Sequence, residues 1–323
     1  MNPISWVTII IIRKVIDMKI LVCDPIAPKG VEMLKGAGYE VDVKDDITAE
    51  DLDKVIHEYD GAIVRSRTKI RKPTIDKAKK LKVIARGGVG LDNIDADYAK
   101  GKGIKVVNTP AASSVSVAEL ALAHMFALAR QIVRGTKGCE TGKWEKKEIK
   151  GIELMDKTLG LVGVGRIGQE LAKRCHALGM KVIGYDLYVK QSPLPGIIEM
   201  YDELDDMLPH ADFVSLHIPF DPNIGPTIGP KDIAKMKKGS YLINCARGGT
   251  VDEQSLLDAL NSGHIAGAGL DVFETEPPTC SMLLEHPNTT LTPHIGAQTK
   301  EGSARVGVAV AEVMIDALKS VGK

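Results

Sequence analysis

Two groups of residues in this chain have types and spacings that could do chemistry. Gly163, Gly165 and Gly168 form a G-x-G-x-x-G pattern in "LVGVGRIGQE". Farther along, Arg247 in "NCARGG", Glu276 in "DVFETEPP" and His294 in "LTPHIG" each stand at the end of a strand-like run. The glycine pattern signals a dinucleotide site only when a strand precedes it and a helix follows; otherwise it is an ordinary glycine-rich turn. Here the apolar run "TLGLVGV" precedes it, and Ile167, Leu171, Cys175 and Leu178 mark one helical face that ends at Gly179. The next strand-like run, "KVIGYD", ends in Asp186, 18 residues past Gly168. That is close to the ~20 expected for an acid that holds a ribose 2′-hydroxyl.

Each position then has a task. Gly163 permits the tight turn, Gly165 lets the backbone approach a pyrophosphate, and Gly168 allows helix and strand to pack closely. Arg166 and Ile167 would open a helix whose first N–H groups face the phosphates. Asp186 would repel the extra phosphate of NADP, and no Lys or Arg follows it until Lys190, so NAD is the expected cofactor.

Hydride transfer to a carbonyl needs a proton donor at the oxygen and, for an acid substrate, a cation at the carboxylate. His294 and Arg247 are of the right types, with Glu276 as a partner for the imidazole. Each also has a structural reading: His294 after Pro293 could cap the terminal helix, Glu276 before two prolines could be an exposed turn, and Arg247 before two glycines could be a surface arginine. All three would fall at carboxyl ends of strands, where open α/β sheets bind ligands. His217 in "SLHIP" and His124 fit core packing at least as well as chemistry.

The elements that must position these groups are strands alternating with helices. "KILVCD", "GAIVRS", "KVIARG" and "KVVNT" come first, then "TLGLVGVG", "KVIGYD", "DFVSLHI", "SYLINCA", "GAGLDVF" and "TTLTPH". Continuous apolar strands separated by helices imply parallel sheets covered on both faces, so the fold class is α/β with two doubly wound, Rossmann-like domains. "SSVSVAELALAHMFALARQ" is apolar almost all round and is expected to be a buried helix joining them. The C-terminal run carries a stripe of Val306, Val310, Val313 and Ala317 that needs a surface to dock on. If it returns to the first domain, that domain is discontinuous, 1–112 with 296–323, and the cofactor domain spans 113–295.

The 323 residues carry 42 Lys and Arg against 42 Asp and Glu, which leaves no charge excess to draw in nucleic acid or an anionic membrane. A small-molecule partner is expected. Five scattered cysteines without C-x-x-C spacing argue against disulfides or zinc and fit a reducing cytoplasm. The N-terminal "SWVTIIIIRK" is too short for a membrane span, which needs roughly 20 residues. It also lacks the order of a signal peptide, so residues 1–17 read as an extension before Met18.

Taken together, "VGVGRIGQE", "NCARGGTVDE", "GAGLDVFETEPP" and "TPHIGAQT" resemble the D-isomer-specific 2-hydroxyacid dehydrogenases, nearly throughout from Met18 onward. "VRSRTKI", "GVGLDNID", "NTPAASSVSVAEL" and "TGKWEKKEIKG" are most similar to the branch of that family that acts on D-3-phosphoglycerate, without the C-terminal regulatory domain that some members append. The resemblance implies an active site in the cleft between two domains, with His294 as acid/base, Glu276 raising its pKa and Arg247 holding the 2-keto acid carboxylate. It implies that backbone N–H groups of Gly88, Val89 and Gly90 clamp the same carboxylate, and that Asp271 lies near the nicotinamide amide. Pro219, Ala246 and Gly296 are carried over as cofactor contacts.

Arg65 and Arg67 in "VRSRTKIRK" would project to one side if that run stays extended, suiting a substrate phosphate, and Arg130 would add a cation from a neighbouring subunit of a homodimer. The implied reaction is NAD-dependent oxidation of D-3-phosphoglycerate to 3-phosphohydroxypyruvate. Alternatives are a glyoxylate or hydroxypyruvate reductase, and a dinucleotide-sensing corepressor. Two departures from the family pattern stand out: "HIPFDPNIGPTIG" carries Asp221 and Pro226, and Ser113 replaces an Asn common in T-P-x-x-N.

Overall fold

The computed structural model describes residues 18–279 and 281–321. The N-terminal apolar burst and Cys280 lie outside the described residues. The chain divides into two compact units, Met1–Ser113 with Ala297–Lys323, and Ser114–Gly296.

The first unit alternates β1 (Lys19–Val22), α1 (Pro28–Gly36), β2 (Glu40–Val43), α2 (Ala49–Val55), β3 (Gly61–Val64), α3 (Lys72–Lys77), β4 (Val83–Arg86), α4 (Ala96–Gly101) and β5 (Lys105–Asn108). Its sheet is parallel with order β2-β1-β3-β4-β5. Every residue of the central strands β3 and β4 is buried, which is why their sequences are apolar without alternation. Leu52, Ile75 and Ala99 cover one face. Leu34 and the C-terminal helix Lys300–Val321, through Val310, Ala311 and Met314, cover the other. Val313 is only partly buried, and the stripe runs through Val306, Val310, Met314 and Ala317 instead. Pairing on α1 is close because both contact points are glycines: a Cβ on Gly307 would lie 2.6 Å from that of Ala27, and one on Gly30 would collide with the Gly307 carbonyl.

The second unit opens with α5 (Ser114–Ala129) and α6 (Ile132–Glu140). It continues through β6 (Thr158–Val162), α7 (Arg166–Ala177), β7 (Lys181–Tyr185), β8 (Ile198–Tyr201), α8 (Leu204–Met207), β9 (Phe213–Leu216), α9 (Pro230–Lys235), β10 (Ser240–Asn244), α10 (Glu253–Asn261), β11 (Ile265–Leu270), α11 (Ser281–Glu285) and β12 (Thr289–Leu291). The seven strands are parallel, in the order β12-β11-β10-β9-β6-β7-β8. Helices α5 and α7 pack on one face, and residues from α8 to α11 on the other. Strand order reverses between β6 and β9, and the crevice outside the carboxyl ends of strands at such a switch point is where this architecture binds ligands.

Two elements differ from the sequence reading. The buried face of α7 is Gly168, Leu171, Ala172 and Cys175, while Leu178 is 38% exposed because the helix ends before it. Helix α5 is not buried all round: Glu119, Ala123 and Phe126 form an exposed face opposite Val117, Ala121, His124, Met125 and Leu128. No single helix among the described residues is long and apolar enough to cross a membrane.

Candidate active site

At the end of β6, Gly163 adopts φ +97°, and a Cβ there would lie 2.7 Å from the His217 carbonyl oxygen and 2.8 Å from Ile218. Only glycine permits both the left-handed turn and this approach across the switch point. A Cβ on Gly168 would strike the Gly163 carbonyl, so this glycine lets α7 sit directly on its own turn. Gly165 is different, with nothing within 4 Å of its would-be Cβ, and it is the N-cap of α7 without a side-chain cap. The N-terminus of α7 thus carries no side-chain cap and opens beside a glycine with free space at its Cβ position, which suits a pyrophosphate. Asp186 follows β7, with Oδ2 accepting from Val164 N at 3.0 Å and Oδ1 from Tyr188 N at 2.9 Å and Val189 N at 3.0 Å. The acid therefore braces the glycine turn. These residues fit NAD.

His217, beneath this turn, is half-buried, and the desolvation of its ring pushes the imidazole down to about pKa 4, so it is a neutral ring. Its Nε2 meets Ser215 Oγ at 3.0 Å. Pro219 lies in the loop beyond it, with Asp221 capping that loop by accepting from Asn223 N at 2.9 Å.

The second cluster gathers at the carboxyl ends of β10, β11 and β12. At the end of β10, buried Asn244 donates to Arg247 O (3.0 Å) and Thr250 Oγ1 (3.0 Å) and accepts from Ala246 N (3.1 Å). Thr250 Oγ1 also donates to Arg247 O at 2.6 Å. This turn presents Arg247, whose Nη1 donates to the Ala246 carbonyl at 2.6 Å. Gly248 packs the turn against the next strand's exit, since a Cβ there would collide with the Phe273 carbonyl and lie 3.0 Å from Glu274 N. Beyond β12, His294 Nδ1 lies 2.8 Å from Glu276 Oε2, and Glu276 Oε1 accepts from Phe273 N at 3.3 Å. Both side chains remain partly exposed, at 47% and 39%. His294 has φ +53°, a left-handed conformation that costs on the order of 1–2 kcal/mol for a residue with a Cβ. The surroundings enforce it, because His294 N donates to the Asp271 carbonyl at 2.8 Å. An apolar cavity of about 520 Å³ adjoins the pair, lined by Phe273, Pro277, Leu284 and Leu291 among others.

Asp271, expected near the cofactor amide, is 1% exposed, and its carboxylate accepts from Thr292 Oγ1 (2.6 Å), Ile295 N (2.8 Å) and Gly296 N (2.8 Å). Its contacts hold the loop that carries His294. Asn244, Thr250 and Thr292 were not singled out from sequence; all three are small polar residues at strand ends, a signal too common to stand out.

In the first unit, the run after β3 does not stay extended. It leaves the strand at Val64 and bends at Ser66–Arg67. The cause is Asp24, 1% exposed, whose carboxylate accepts from Arg65 N (2.5 Å), Thr68 N (3.2 Å), Thr68 Oγ1 (2.6 Å) and Arg67 Nε (3.0 Å). Arg67 also donates to the Cys23 carbonyl at 2.5 Å. Arg67 is therefore committed to a buried carboxylate, whereas the Arg65 guanidinium, among the described residues, makes only a 3.4 Å contact with the Pro25 carbonyl through its Nη1. After β4, Gly88 N donates to Thr109 Oγ1 at 2.9 Å, so that N–H is spent. The carbonyls of Val89 and Gly90 accept from Asn108 and from buried Arg86 respectively, which turns these peptides. Arg130 is exposed just past α5 in the second unit.

Comparison with known proteins agrees with this geometry. Residues 122–296 match the family described as "D-isomer specific 2-hydroxyacid dehydrogenase, NAD binding domain". The chain is 47% identical to D-3-phosphoglycerate dehydrogenase of Methanocaldococcus jannaschii over 91% of its own length and 56% of that protein's. It is also 47% identical to hydroxypyruvate reductase of Thermotoga maritima, over 91% of this chain and 96% of that one. The D-lactate dehydrogenase of Aquifex aeolicus, solved with NAD and lactic acid, superposes with a TM-score of 0.78 at 31% identity, covering 91% of this chain and 93% of its own. The chain belongs to the D-isomer-specific 2-hydroxyacid dehydrogenases. Its second unit is an NAD-binding domain, and the chain spans little more than half the length of the Methanocaldococcus relative.

Proposed function

We propose that the chain oxidises D-3-phosphoglycerate to 3-phosphohydroxypyruvate with NAD, the first step of serine synthesis. The observation that carries this reading is the 2.8 Å contact of His294 Nδ1 with Glu276 Oε2. With its Nδ1–H donated to the carboxylate, the ring keeps a bare Nε2 to take the substrate's hydroxyl proton. NAD, when bound, supplies the hydride acceptor. Arg247 forks onto the substrate carboxylate, and the N–H groups of Val89 and Gly90 add donors to it. Arg65 is the cation assigned to the phosphate, which carries about −1.5 to −2 charges; Arg130 of a neighbouring subunit is a second. The Methanocaldococcus relative supports this substrate.

A second reading, reduction of hydroxypyruvate or glyoxylate, draws support from the commitment of Arg67 to Asp24 and from the Thermotoga relative. The two separate on one measurement, kcat/KM for D-3-phosphoglycerate, hydroxypyruvate and glyoxylate in wild type and Arg65→Ala. Losing a charge-assisted hydrogen bond of about 1.5–3 kcal/mol should cut efficiency on the phosphorylated acid by roughly 10- to 100-fold, mainly through KM. The other two substrates should change little. Equal losses on all three, or a wild type that prefers the unphosphorylated acids, assigns the chain to the reductases.

We also infer a homodimer built on the exposed Ala123–Phe126 face of α5, where Phe126 is 38% exposed and neighbouring Ile132 52%. Light scattering at micromolar concentration should return twice the 34.8 kDa chain mass, and Phe126→Glu should lower it. A monomeric wild type removes the dimer from this reading. A cytoplasmic location belongs to the same reading, supported by free thiols at Cys23, Cys139, Cys175 and Cys245.

A further inference from the structure

A buried chain of hydrogen bonds runs from helix α5 to the backbone of His294. His124, midway along α5, is 4% exposed. Its Nδ1 lies 2.7 Å from Thr290 Oγ1, and its Nε2 lies 3.1 Å from Thr292 Oγ1. Thr292 Oγ1 donates to Asp271 Oδ1 at 2.6 Å. Asp271 holds the N–H groups of Ile295 and Gly296 on its carboxylate and that of His294 on its carbonyl.

The proton inventory fixes the direction of this chain. A threonine hydroxyl has one proton, and Thr292 spends it on Asp271. The contact with His124 must then use an imidazole N–H as donor, which puts the proton on Nε2. The bare Nδ1 accepts from Thr290. Burial lowers the pKa of His124 against the opposing pull of Asp271, which agrees with a singly protonated ring.

Space for the ring is made deliberately by the neighbouring strand. A Cβ on Gly269 of β11 would lie 2.7 Å from His124 Cβ and 3.0 Å from its Cγ. From Val117 to Leu128 the other buried residues of this helix, Val117, Ala118, Ala121, Met125 and Leu128, are apolar, and an aliphatic side chain at 124 would fill the same volume without the cost of desolvating a polar ring. What the imidazole adds is a donor aimed at Thr292.

We propose that His124 is a positioning residue: as the Nε2–H tautomer it orients Thr292 so that Asp271 fixes the left-handed backbone of His294 and its alignment with Glu276. The inference rests on the reading of His294 as the acid/base. Its tests therefore include one that needs no turnover. In ¹⁵N-histidine NMR spectra of the intact protein, His124 should show a proton on Nε2 and none on Nδ1, and His124→Leu should shift the ring signals of His294. In kinetics, His124→Leu should lower kcat about tenfold, since small misplacements of a reacting group are costly, with KM and the NADH dissociation constant little changed. His124→Gln, whose amide N–H can reach Thr292, should recover most of the loss. Thr292→Val should match His124→Leu, and the double variant should be no worse than either.

A proton on Nδ1, unmoved His294 signals, a glutamine variant no better than leucine, or additive losses would each overturn the proposal. If His124→Leu fails to fold, the glutamine and Thr292→Val variants still decide it. If the wild type turns over no D-2-hydroxy acid, the reading of function fails, while the tautomer and the His294 signals still decide the positioning.

Discussion

Replacing His294 by alanine is expected to lower turnover by roughly 10²-fold or more, the usual contribution of a positioned acid/base, while NADH still binds. A hundredfold corresponds to about 2.7 kcal/mol of transition-state stabilisation. The two effects should separate because the glycine turn at Gly163–Gly168 is built on β6 and α7, and His294 is carried by the loop after β12. The turn is held by Val164 N on Asp186 and by Gln169 on the Val164 carbonyl, contacts in which the imidazole takes no part. NADH binding is read by fluorescence titration and turnover by absorbance at the nicotinamide band. A His294→Ala enzyme that keeps most of its activity would remove the imidazole from the mechanism. Loss of NADH binding together with activity would mean that the residue supports the fold and not the chemistry.

Gly248→Ala is expected to be nearly as damaging, though residue 248 carries no functional group. Its Cβ would occupy the position of the Phe273 carbonyl, and both neighbours are backbone, so no side chain can swing aside to relieve the clash. The turn bearing Arg247 and the segment leading to Glu276 must separate, which moves Arg247, the cation proposed to bind the carboxylate, relative to the His294–Glu276 pair proposed as acid/base. Displacements of about 1 Å can cost on the order of 10²-fold in rate. We therefore expect kcat/KM to fall about that far, with the melting temperature reduced and NADH affinity largely kept. Gly165→Ala is the control for steric bulk alone within the fold, because its would-be Cβ meets nothing within 4 Å; its deficit should appear in NADH binding instead. Wild-type kcat/KM in Gly248→Ala would show that the two segments need not touch.

The sequence alone was enough to identify whatever depends on local pattern. Strands β3, β4, β6, β9 and β10 are central and buried on both faces, so their apolar runs stand out without any knowledge of the sheet. The glycines of the dinucleotide turn and the acid after β7 have fixed spacing, because one strand–turn–helix–strand unit carries them all. Edge strands β2 and β8 escaped notice for the converse reason: at a sheet margin only part of each strand is covered, and "EVDV" and "IEMY" mix polar with apolar residues.

Only the tertiary structure could decide how distant side chains spend their hydrogen bonds. Asp24 and Arg67 are separated by two helices and two strands, and their pairing bends a basic run that would otherwise project its cations in parallel. Asp271 is expected near the cofactor only through the family resemblance, and the fold adds that its buried carboxylate holds the loop beyond β12. His124 reads as core packing until β12 brings Thr290 and Thr292 against it. Burial is the common cause: it removes water as the alternative partner, so each of these polar groups must find its donors or acceptors in the fold.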